Sequence, residues 1–599
     1  MYDRTYGSSP YRPVHALRSP EPHKKAPDWM NKFKGWKPNR WLKGAMLLAA
    51  LLLMGFWFFL GDFRFLMFRY PSLSGFPFGN RTYLVLFQNN YELRPTGGFI
   101  SNYAELTFSH GLYTGIEFHD VYAEIDEHPY VEPPLVLGTL LKGPNYQGHT
   151  FRDANEDPDF NISRDKLIEF YQLTHPDTRI DGVIAADFSF LEQWVAQYEP
   201  LTVDGRTLTE ANLFETLSAT ISDVDLRDEN ALASRKDIAA PLANKLINKT
   251  LIFPWRIRSF LNMAAQGFHE KHLLASFTRR PMAKSFAYRN WDGALPQSDL
   301  GDVLAINEAN YGGMKSNRYI TRDVQYELDV TGAKDILGNP VLKATVSVTL
   351  SHEGTWNVPL SGAYTGYLRV MIPKGADIEE GGDVTEKRED LQTTGDLIKL
   401  QPGESVTYTY SYELPEYVWN DGTYFLHLHK QPGTQGDPYR VVVRVPQGMS
   451  LESPNFDVRE NLGIWESPLV TDQNLSFTLL PDKTGPRVVL QEITDLNEIT
   501  LVFNEALNEA TASDLDSYTF VGEELTLQGM RVEGNTVTLT TEGMKASPGQ
   551  SYVLTLQNIA DRAGNLINPS PRTVTLIQPQ DLVAPVETPA ETLTPENNG

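Results

Sequence analysis

Residues 86–100 of the chain read LFQNNYELRPTGGFI, the most informative stretch of the sequence. An apolar, strand-like run ends at Phe87. Amide, carboxylate and guanidinium side chains then crowd together before a Gly97–Gly98 pair leads back to apolar residues. Glycines let backbone N–H groups approach a ligand closely, and arginine binds anionic oxygens through paired hydrogen bonds. The motif therefore predicts either a site for an anionic ligand or a wide turn between two strands in which Glu92 and Arg94 form an ion pair.

The size and composition of the chain limit its class. Its 599 residues are too many for a single hydrophobic core, so three or four folded units are expected. A formal net charge of −24 and a pI near 5.0 argue against binding to nucleic acids. Cysteine is absent, which excludes disulfides, a thiol nucleophile and any metal site with thiolate ligands.

Charge is distributed unevenly near the N-terminus. Residues 1–43 carry ten Lys and Arg against three acidic residues, a net charge of +7, which leaves −31 for the remainder. Residues 44–61 carry no charge and are long enough, with their flanks, to cross a bilayer as a helix. Because basic residues favour the cytoplasmic side, the pattern predicts a single-pass plasma-membrane protein with its N-terminus in the cytoplasm and its bulk outside. A cleavable signal peptide and a buried core helix are the alternatives.

The rest of the chain divides by its hydrophobic periodicity. Strand-like and helix-like segments alternate up to about residue 316, which predicts an α/β layered domain, and Ser163, Asp187 and Thr209 are expected to cap helices in it. Alternating segments without helices then predict β-sandwiches. The predicted order is a basic cytoplasmic tail (1–43), a transmembrane helix (44–61), a connector (62–80), the α/β domain (81–316), a β-sandwich (317–448), a linker (449–482), a second all-β domain (483–577) and a disordered tail (578–599).

A second polar motif, FRDANEDPDF, occupies residues 151–160. Its oxygen-bearing side chains lie two residues apart, as in the first half of a calcium-binding loop. Pro158 and Arg164, however, stand where such a loop requires Gly and Glu, which excludes a helix–loop–helix calcium site. A looser Mg²⁺ or Ca²⁺ site at Asp153 and Asp159 stays open. The alternative is a solvated loop that caps the next helix.

Two further groups of residues are candidates for chemistry. Residues 307–318 again place a glycine pair beside amides and cations, and a tight turn between two domains is the alternative interpretation. His427 and His429 lie on one face of a predicted strand, as metal ligands can, but no third ligand lies nearby in the sequence. The chain holds no His-Glu-x-x-His, Gly-x-Ser-x-Gly or phosphate-binding-loop motif.

Several of these motifs together resemble one bacterial family. It is an uncharacterised, membrane-anchored, extracytoplasmic family of unknown function, and the resemblance extends over about residues 80–450. It implies an architecture and a location but no activity. The runs that carry it are Leu86–Ile100, Arg152–Phe160, Ile180–Asp187, Asn307–Ile320, Tyr367–Ala376 and Lys430–Thr434.

The chain also resembles, more distantly, the LytR-CpsA-Psr phosphotransferases, which move lipid-linked glycopolymers onto peptidoglycan. Residues 181–188 are similar to that family's strand-to-helix step, Arg152 and Asp153 to its Arg-Asp pair, and Arg235 to its later arginine. The resemblance implies that the arginines hold a pyrophosphate. The chain departs from the family at Thr96, where an acidic metal ligand would stand, so an acid of the second polar motif would have to replace it.

The last β unit resembles the Ig-like domain of bacterial surface-layer and wall proteins, on residues 503–507, 516–518 and 561–565. Such domains imply a spacer or adhesive role. The predicted fold class is therefore multidomain, with one N-terminal transmembrane helix, an α/β layered domain, a β-sandwich domain and a C-terminal Ig-like β-sandwich.

Two hypotheses for the function follow. In the first, the chain is a cell-envelope protein that binds an anionic lipid-linked glycopolymer. If it is an enzyme, it is a phosphotransferase that acts on a polyprenyl-pyrophosphate-linked glycan, with Mg²⁺ held by Asp153 and Asp159. In the second, it is a non-catalytic cell-envelope scaffold or adhesion protein with an Ig-like spacer. The expected partners are the lipid bilayer, through residues 44–61, and peptidoglycan or a lipid-linked glycan. The candidate ligand-binding residues are Asn89, Asn90, Glu92, Arg94, Thr96, Arg152, Asp153, Asn155, Asp159 and Arg235.

Overall fold

Strands in several sheets are the main regular structure among the described residues in a computed structural model of the protein. Residues 66–599 form one compact unit by themselves. The structure describes residues 43, 47, 61–121, 128–141, 148–222, 238–297, 301–312, 315–334, 338–420, 422–446, 448–459, 462–522, 525–545 and 547–579.

The sequence-based expectation of a transmembrane helix is corrected. Among the residues that the structure describes, no helix is both long enough and apolar enough to cross a membrane. Helix α1, Gly61–Leu73, carries three charged residues among its thirteen. Apart from Leu47 and Gly61, the predicted span 44–61 lies outside the described residues. The predicted fold class, with its membrane helix, and the predicted single-pass localisation are corrected by this finding, which concerns the described residues.

The first part of the unit is built on one five-stranded sheet and a small hairpin. The strands of the sheet are β1 (Asn80–Asn89), β2 (Phe99–Ser109), β3 (Leu112–Asp120), β4 (Gly182–Asp187) and β7 (Leu273–Phe277), and the hairpin is β5 (Leu201–Val203) with β6 (Arg206–Leu208). Their order is β3–β2–β1–β4–β7, with β1 and β4 parallel and the other neighbours antiparallel. Leu84 and Leu86 alternate along β1 and are fully buried, because one face of the sheet is covered by helices.

Helices and the sheet share a hydrophobic core in this part, which we call the mixed-sheet region (residues 80–297). The helices are α2 (Leu135–Leu140), α3 (Phe160–Thr174), α4 (Phe188–Ala196), α5 (Glu210–Ser222), α6 (Ala239–Leu251), α7 (Pro254–His269) and α8 (Arg280–Ala287), with a 3₁₀ turn at Phe151–Asp153. Asp187 caps α4 as predicted, accepting a hydrogen bond from Phe190 N at 2.9 Å. The cap predicted at Ser163 was wrong, because α3 begins earlier and Asp159 accepts from Asn161 N. Thr209 directly precedes α5.

Residues 302–481 form two large sheets packed face to face, which we call the sandwich. Its strands are β8 (Asp302–Asn310), β9 (Ile320–Lys334), β10 (Pro340–His352), β11 (Tyr364–Pro373), β12 (Asp377–Glu380), β13 (Val384–Lys387), β14 (Leu391–Leu400), β15 (Ser405–Glu413), β16 (Trp419–Asn420), β17 (Thr423–His429), β18 (Pro438–Arg444), β19 (Met449–Glu452), β20 (Asp457–Arg459), β21 (Leu462–Pro468) and β22 (Gln473–Pro481). One sheet has the order β12–β15–β10–β9–β18–β21–β20 and the other β13–β14–β11–β8–β17–β22–β19, with β16 paired to β17. Tyr326 and Leu328 of the first sheet share a core with Leu368 and Val370 of the second.

Two segments of the sandwich lie where the sequence predicts other structures. β8 belongs to the expected α/β domain, yet it lies inside the second sheet between β11 and β17. All nine of its residues are buried, so it lacks the apolar–polar alternation that marks a half-exposed strand. Residues 449–482, for which a linker is expected, contribute β19 to β22 to the two sheets.

The C-terminal unit, residues 488–577, consists of two smaller sheets. Its elements are β23 (Val488–Asp495), β24 (Glu498–Phe503), α9 (Glu509–Ala512), β25 (Tyr518–Phe520), β26 (Thr526–Glu533), β27 (Thr536–Glu542), β28 (Ser551–Leu556) and β29 (Arg572–Ile577). The sheets have the orders β23–β24–β27–β26 and β25–β28–β29. Residues from both sheets, among them Leu501, Leu539 and Leu554, form one core.

Candidate functional site

Arg94 lies at the centre of the first polar motif, in the loop from β1 to β2. Its side chain is 2% exposed. Nη2 lies 3.3 Å from Oδ1 of Asp153 and 3.6 Å from Oε1 of Glu92, and Nη1 donates to the backbone oxygen of Asn310 in β8. The ion pair between Glu92 and Arg94 is therefore present, and the arginine also connects the mixed-sheet region to the sandwich.

Aromatic rings enclose the Arg94 guanidinium. Its central carbon lies 5.2 Å from the ring centroid of Phe99 and 5.0 Å from that of Tyr311, within the range of cation–π attraction. Burial acts to lower the pKa of Arg94, but the carboxylates of Asp153 and Glu92 outweigh burial and raise the pKa. Burial also raises the pKa of Glu92, against the opposing effect of Arg94. The arginine is thus an interior cation balanced by two acids.

Thr96 joins the two polar motifs to each other. Its Oγ1 accepts hydrogen bonds from Gln88 Nε2 at 3.0 Å and from Asn155 Nδ2 at 3.1 Å. Asn155 Nδ2 also donates to the backbone oxygen of Gly98 at 2.9 Å. Thr96 and Asn155 are completely buried. The hydroxyl of Thr96 therefore has a role in holding two loops together.

Close approach of neighbouring backbone accounts for the glycines of the motif. Gly97 has a φ of +130°, and Gly433 has a φ of +84°. A Cβ on Gly433 would lie 2.1 Å from the backbone oxygen of Gly97, and a Cβ on Gly98 would lie 2.4 Å from the backbone carbon of Asn89. Close backbone approach is what the pair suggested. The 430–434 loop of the sandwich approaches Gly97, and the backbone of Asn89 approaches Gly98.

Of the two asparagines of the motif, Asn90 contacts distant parts of the chain and Asn89 contacts its own loop. Asn90 Nδ2 donates to Ser189 Oγ at 2.8 Å and to the backbone oxygen of Gly433 at 3.0 Å, so it links two parts of the mixed-sheet region with the sandwich. Asn89 stays within its own loop, where Oδ1 accepts from Tyr91 N at 3.2 Å.

The third polar cluster, residues 307–318, supplies matching groups from the sandwich. Asn317 Oδ1 accepts from the backbone N–H of Leu93 at 3.0 Å, and Asn307 Nδ2 donates to the backbone oxygen of Pro95 at 2.9 Å. The sequence singled out this cluster as a turn between domains or a binding site, but nothing in it revealed which loop it would contact.

Sequence reasoning missed a group of buried polar residues behind this contact. Gln431 Oε1 accepts from Glu308 N at 2.9 Å and from Arg322 Nη1 at 2.8 Å, while Gln431 Nε2 donates to the backbone oxygen of Glu308 at 2.6 Å. Arg322 also pairs with Asp437. The available signal was Arg322 itself, since a buried cation in a strand requires partners.

Ion pairs also cross between the mixed-sheet region and the sandwich. They are Arg369 with Glu156 at 3.5 Å, Arg388 with Asp157 at 2.5 Å and Lys271 with Asp472 at 2.7 Å. Burial raises the pKa of Glu156 to about 7, although Arg369 opposes the rise. We call these pairs, together with the contacts of Arg94 and Asn90, the first joint.

Three of the predicted ligand residues have other surroundings. Asp159 caps α3 and accepts from Leu295 N at 3.2 Å, and burial raises its pKa. Arg152 is half-buried and its Nε donates to Thr150 Oγ1 at 3.4 Å. Arg235 lies outside the described residues. The structure brings five predicted residues into two buried groups, Glu92 with Arg94 and Asp153, and Thr96 with Asn155.

Two groups in the described part of the chain have the composition of metal sites, and neither contains Asp153 or Asp159. In one, Asp472 joins His427 and His429 as a third potential ligand. Lys271 Nζ lies 2.7 Å from Asp472 Oδ1 and 3.1 Å from His429 Nδ1, so an ammonium group already occupies the space among them. The other group is Asp482, Glu505 and Asp561.

Similarity to solved structures is slight. The N-terminal part of the bacterial S-layer protein SbsC is 19% identical over 16% of this chain, with a TM-score of 0.14, and the match spans 23% of the length of that protein. A putative nutrient-binding protein from Legionella pneumophila subsp. pneumophila strain Philadelphia 1 is 10% identical over 30% of this chain and 71% of its own, with a TM-score of 0.20.

Sequence comparison gives one family. No curated protein matches the chain. The predicted similarity to the LytR-CpsA-Psr phosphotransferases is not shown by these comparisons. Residues 79–221, which include both polar motifs, match the model of a family described as a protein of unknown function (DUF4012).

Proposed function

We propose that the chain is a non-catalytic scaffold, in which the first joint holds the mixed-sheet region and the sandwich in one fixed arrangement. The burial of Arg94 carries this proposal. A residue whose type and setting suit an anionic ligand makes its contacts inside the protein instead, with two carboxylates, two aromatic rings and a backbone oxygen.

A pyrophosphate at Arg94 would require a different arrangement. Binding of a phosphate oxygen uses the outward N–H groups of the guanidinium, and Nη1 and Nη2 of Arg94 are both engaged. A ligand that displaced them would leave Glu92 and Asp153 buried without their cation. Breaking a buried pair in this way costs about 3–5 kcal/mol, which the ligand would have to offset. A structural role for the motif needs no such rearrangement.

Rigidity between the two regions is the property that tests the scaffold. Because the chain lacks cysteine, two introduced cysteines can be labelled selectively. Gln172 in α3 and Lys399 in β14 are exposed, and each lies on a regular element of a different region. We expect spin labels at Gln172→Cys and Lys399→Cys to give a single narrow distance distribution by pulsed electron paramagnetic resonance. Adding Arg94→Met should broaden it.

The matched control is Arg179→Met. Arg179 belongs to the same region, but its side chain is 80% exposed. This variant should keep the narrow distribution. A distribution in Arg94→Met that is as narrow as in the parent would contradict the proposal, because the joint would then hold without its central cation.

A ligand test separates the scaffold from the glycan-binding hypothesis. Farnesyl pyrophosphate with Mg²⁺ provides the pyrophosphate and a prenyl tail without the glycan, and a scaffold predicts no heat of binding in isothermal titration calorimetry. Binding that disappears in both Arg94→Met and Arg152→Met would favour the lipid-linked glycan. Sedimentation of the chain with insoluble peptidoglycan tests the other partner expected from the sequence.

A further inference from the structure

Five consecutive apolar residues, LIFPW at 251–255, are exposed where α6 turns into α7. The exposed fraction is 55% for Leu251, 59% for Ile252, 39% for Phe253 and 66% for Trp255. Runs of exposed apolar residues are disfavoured on a soluble surface unless something covers them in use. We call residues 251–255 the apolar tip.

The tip is held in place from beneath. Thr250, directly before it, is buried, and its Oγ1 bonds with Trp194 Nε1 at 3.1 Å and with Tyr198 OH at 3.0 Å. One and two turns earlier in α6, Leu246 and Leu242 are in the hydrophobic core. The exposure of the tip therefore belongs to an ordered helical hairpin.

Charge around the tip has the opposite sign to that of the chain. Residues 238–269 contain four basic residues and no acidic one, within a chain of net charge −24. Arg256 lies beside the tip, with its guanidinium carbon 5.1 Å from the ring centroid of Phe253 and its Nη1 donating to the backbone oxygen of Lys249 at 3.1 Å. Lys249, Arg256 and Arg258 thus flank the apolar residues on both sides.

We propose that the apolar tip binds the surface of a lipid bilayer that carries anionic headgroups. Aromatic and aliphatic side chains next to Lys and Arg are the combination that lies in the headgroup–acyl boundary, with apolar groups inserted and cations at the phosphates. Each basic residue near an anionic surface adds to the attraction. Binding of this kind uses the end of a helical hairpin and needs no helix that spans the membrane.

A fluorophore at the tip tests this in the full chain. Ile252→Cys, labelled with an environment-sensitive dye, should show a blue shift when vesicles of equal parts phosphatidylcholine and phosphatidylglycerol are added. Vesicles of phosphatidylcholine alone should give little change, and added salt should reverse the shift. The same dye at Gln172→Cys, on an exposed helix position of the same region, is the control and should not respond.

Two variants separate the apolar and the electrostatic contributions. With the label at position 252, Lys249→Gln combined with Arg258→Gln should raise the lipid concentration at half-maximal shift about 30-fold. Trp255→Ser should reduce the shift itself. Circular dichroism establishes that both variants are folded.

Three results would overturn the proposal. The first is a label at 252 that does not respond to phosphatidylglycerol vesicles, and the second is an equal response to neutral vesicles. The third is a label that is already blue-shifted without lipid, since a second copy or another segment of the chain would then cover the tip.

Discussion

The first joint and a second joint, between the sandwich and the C-terminal unit, provide different partners for their carboxylates. In the first joint, Glu92 and Asp153 share the guanidinium of Arg94. The second joint connects the sandwich to the C-terminal unit, and there Asp561 accepts from Asn565 N at 2.8 Å and from Asn565 Nδ2 at 2.9 Å. Asn565 Nδ2 also donates to the backbone oxygen of Asp482 at 3.1 Å. Neutral amide donors thus serve at the second joint where a cation serves at the first.

This difference appears in the protonation of the acids. Burial, and then the nearby charges of Asp482 and Asp561, raise the pKa of Glu505 at the second joint to about 7. The three side chains offer ligand oxygens within 4.8 Å of one another, which explains the repulsion. At the first joint, Arg94 and Arg369 oppose the rise that burial causes in the pKa of Glu92 and of Glu156. At the second joint a hydrogen bond from the neutral side chain of Asn504 opposes the rise in the pKa of Glu505.

Among these predictions, removal of the Arg94 guanidinium should cause the largest loss in the free energy of unfolding. We expect Arg94→Met to lower the free energy of unfolding by about 3–5 kcal/mol, because it leaves Glu92 and Asp153 buried without a partner. Denaturant unfolding measures the loss. Arg179→Met should change the same quantity by less than about 0.5 kcal/mol, as exposed substitutions do. A loss below about 1 kcal/mol in Arg94→Met would remove the distinction between the two joints.

Substitution of a glycine where two backbones approach closely at the first joint should cause the second-largest loss of stability. Gly433→Ala places a Cβ 2.1 Å from the backbone oxygen of Gly97, at a φ of +84°. Gly403 has nearly the same φ, +86°, but open space around its Cβ position. Gly403→Ala should therefore lower the free energy of unfolding by about 1 kcal/mol, the strain of the left-handed conformation alone. Gly433→Ala should lower it by about 2–3 kcal/mol, because the contact with Gly97 is added to that strain. Equal losses by denaturant unfolding would show that the two regions do not press together at Gly97.

The second joint should respond to pH. The folded-state pKa of Glu505, about 7, is above the ordinary value of 4.5, so the folded chain holds this proton more tightly than the unfolded chain. The contribution of this proton to the free energy of unfolding is full below about pH 4.5 and is lost as the pH rises to about 7. Because Glu505 keeps contact with water, we expect this contribution to be about 1 kcal/mol. The protection of the β24 and β27 amides against hydrogen exchange, relative to the intrinsic exchange rate at each pH, should fall over this range.

Glu505→Gln sharpens the same comparison. The neutral amide should remove most of the pH dependence of this protection in the C-terminal unit. Glu498→Gln, an exposed residue of β24, should leave it unchanged. If the dependence persists in Glu505→Gln, another group of the second joint titrates in its place.

Local patterns in the sequence were sufficient for much of the structure. The alternation along β9 and β10, with every second residue buried, reveals strands because one face of each is exposed. Asp187 is a recognisable cap because its carboxylate satisfies a free N–H at the start of α4. Such features depend on neighbours within a few residues.

Features that depend on distant partners could not be predicted. β8 is buried on both faces, so only its neighbours β11 and β17 identify the sheet that contains it. The Gly97–Gly98 pair showed that something approaches the backbone, but Gly433 is more than 300 residues away, and a ligand fits the same pattern. The run at 44–61 was assigned from its length, its lack of charge and its basic flank, which are all local features, and no membrane-crossing helix occurs in the described part of the chain.

The link from Asn90 to Gly433 sets an order of events during synthesis. These residues are 343 positions apart, so at about 5–20 residues per second Asn90 is synthesised roughly 17–70 s before Gly433. Until β8 is synthesised, Arg94 lacks the backbone oxygen of Asn310 to which its Nη1 donates in the folded chain. The polar character of the motif thus keeps an unfinished surface soluble and unattractive to apolar partners. A hydrophobic contact of the same area would have exposed the nascent chain to aggregation before its second half existed.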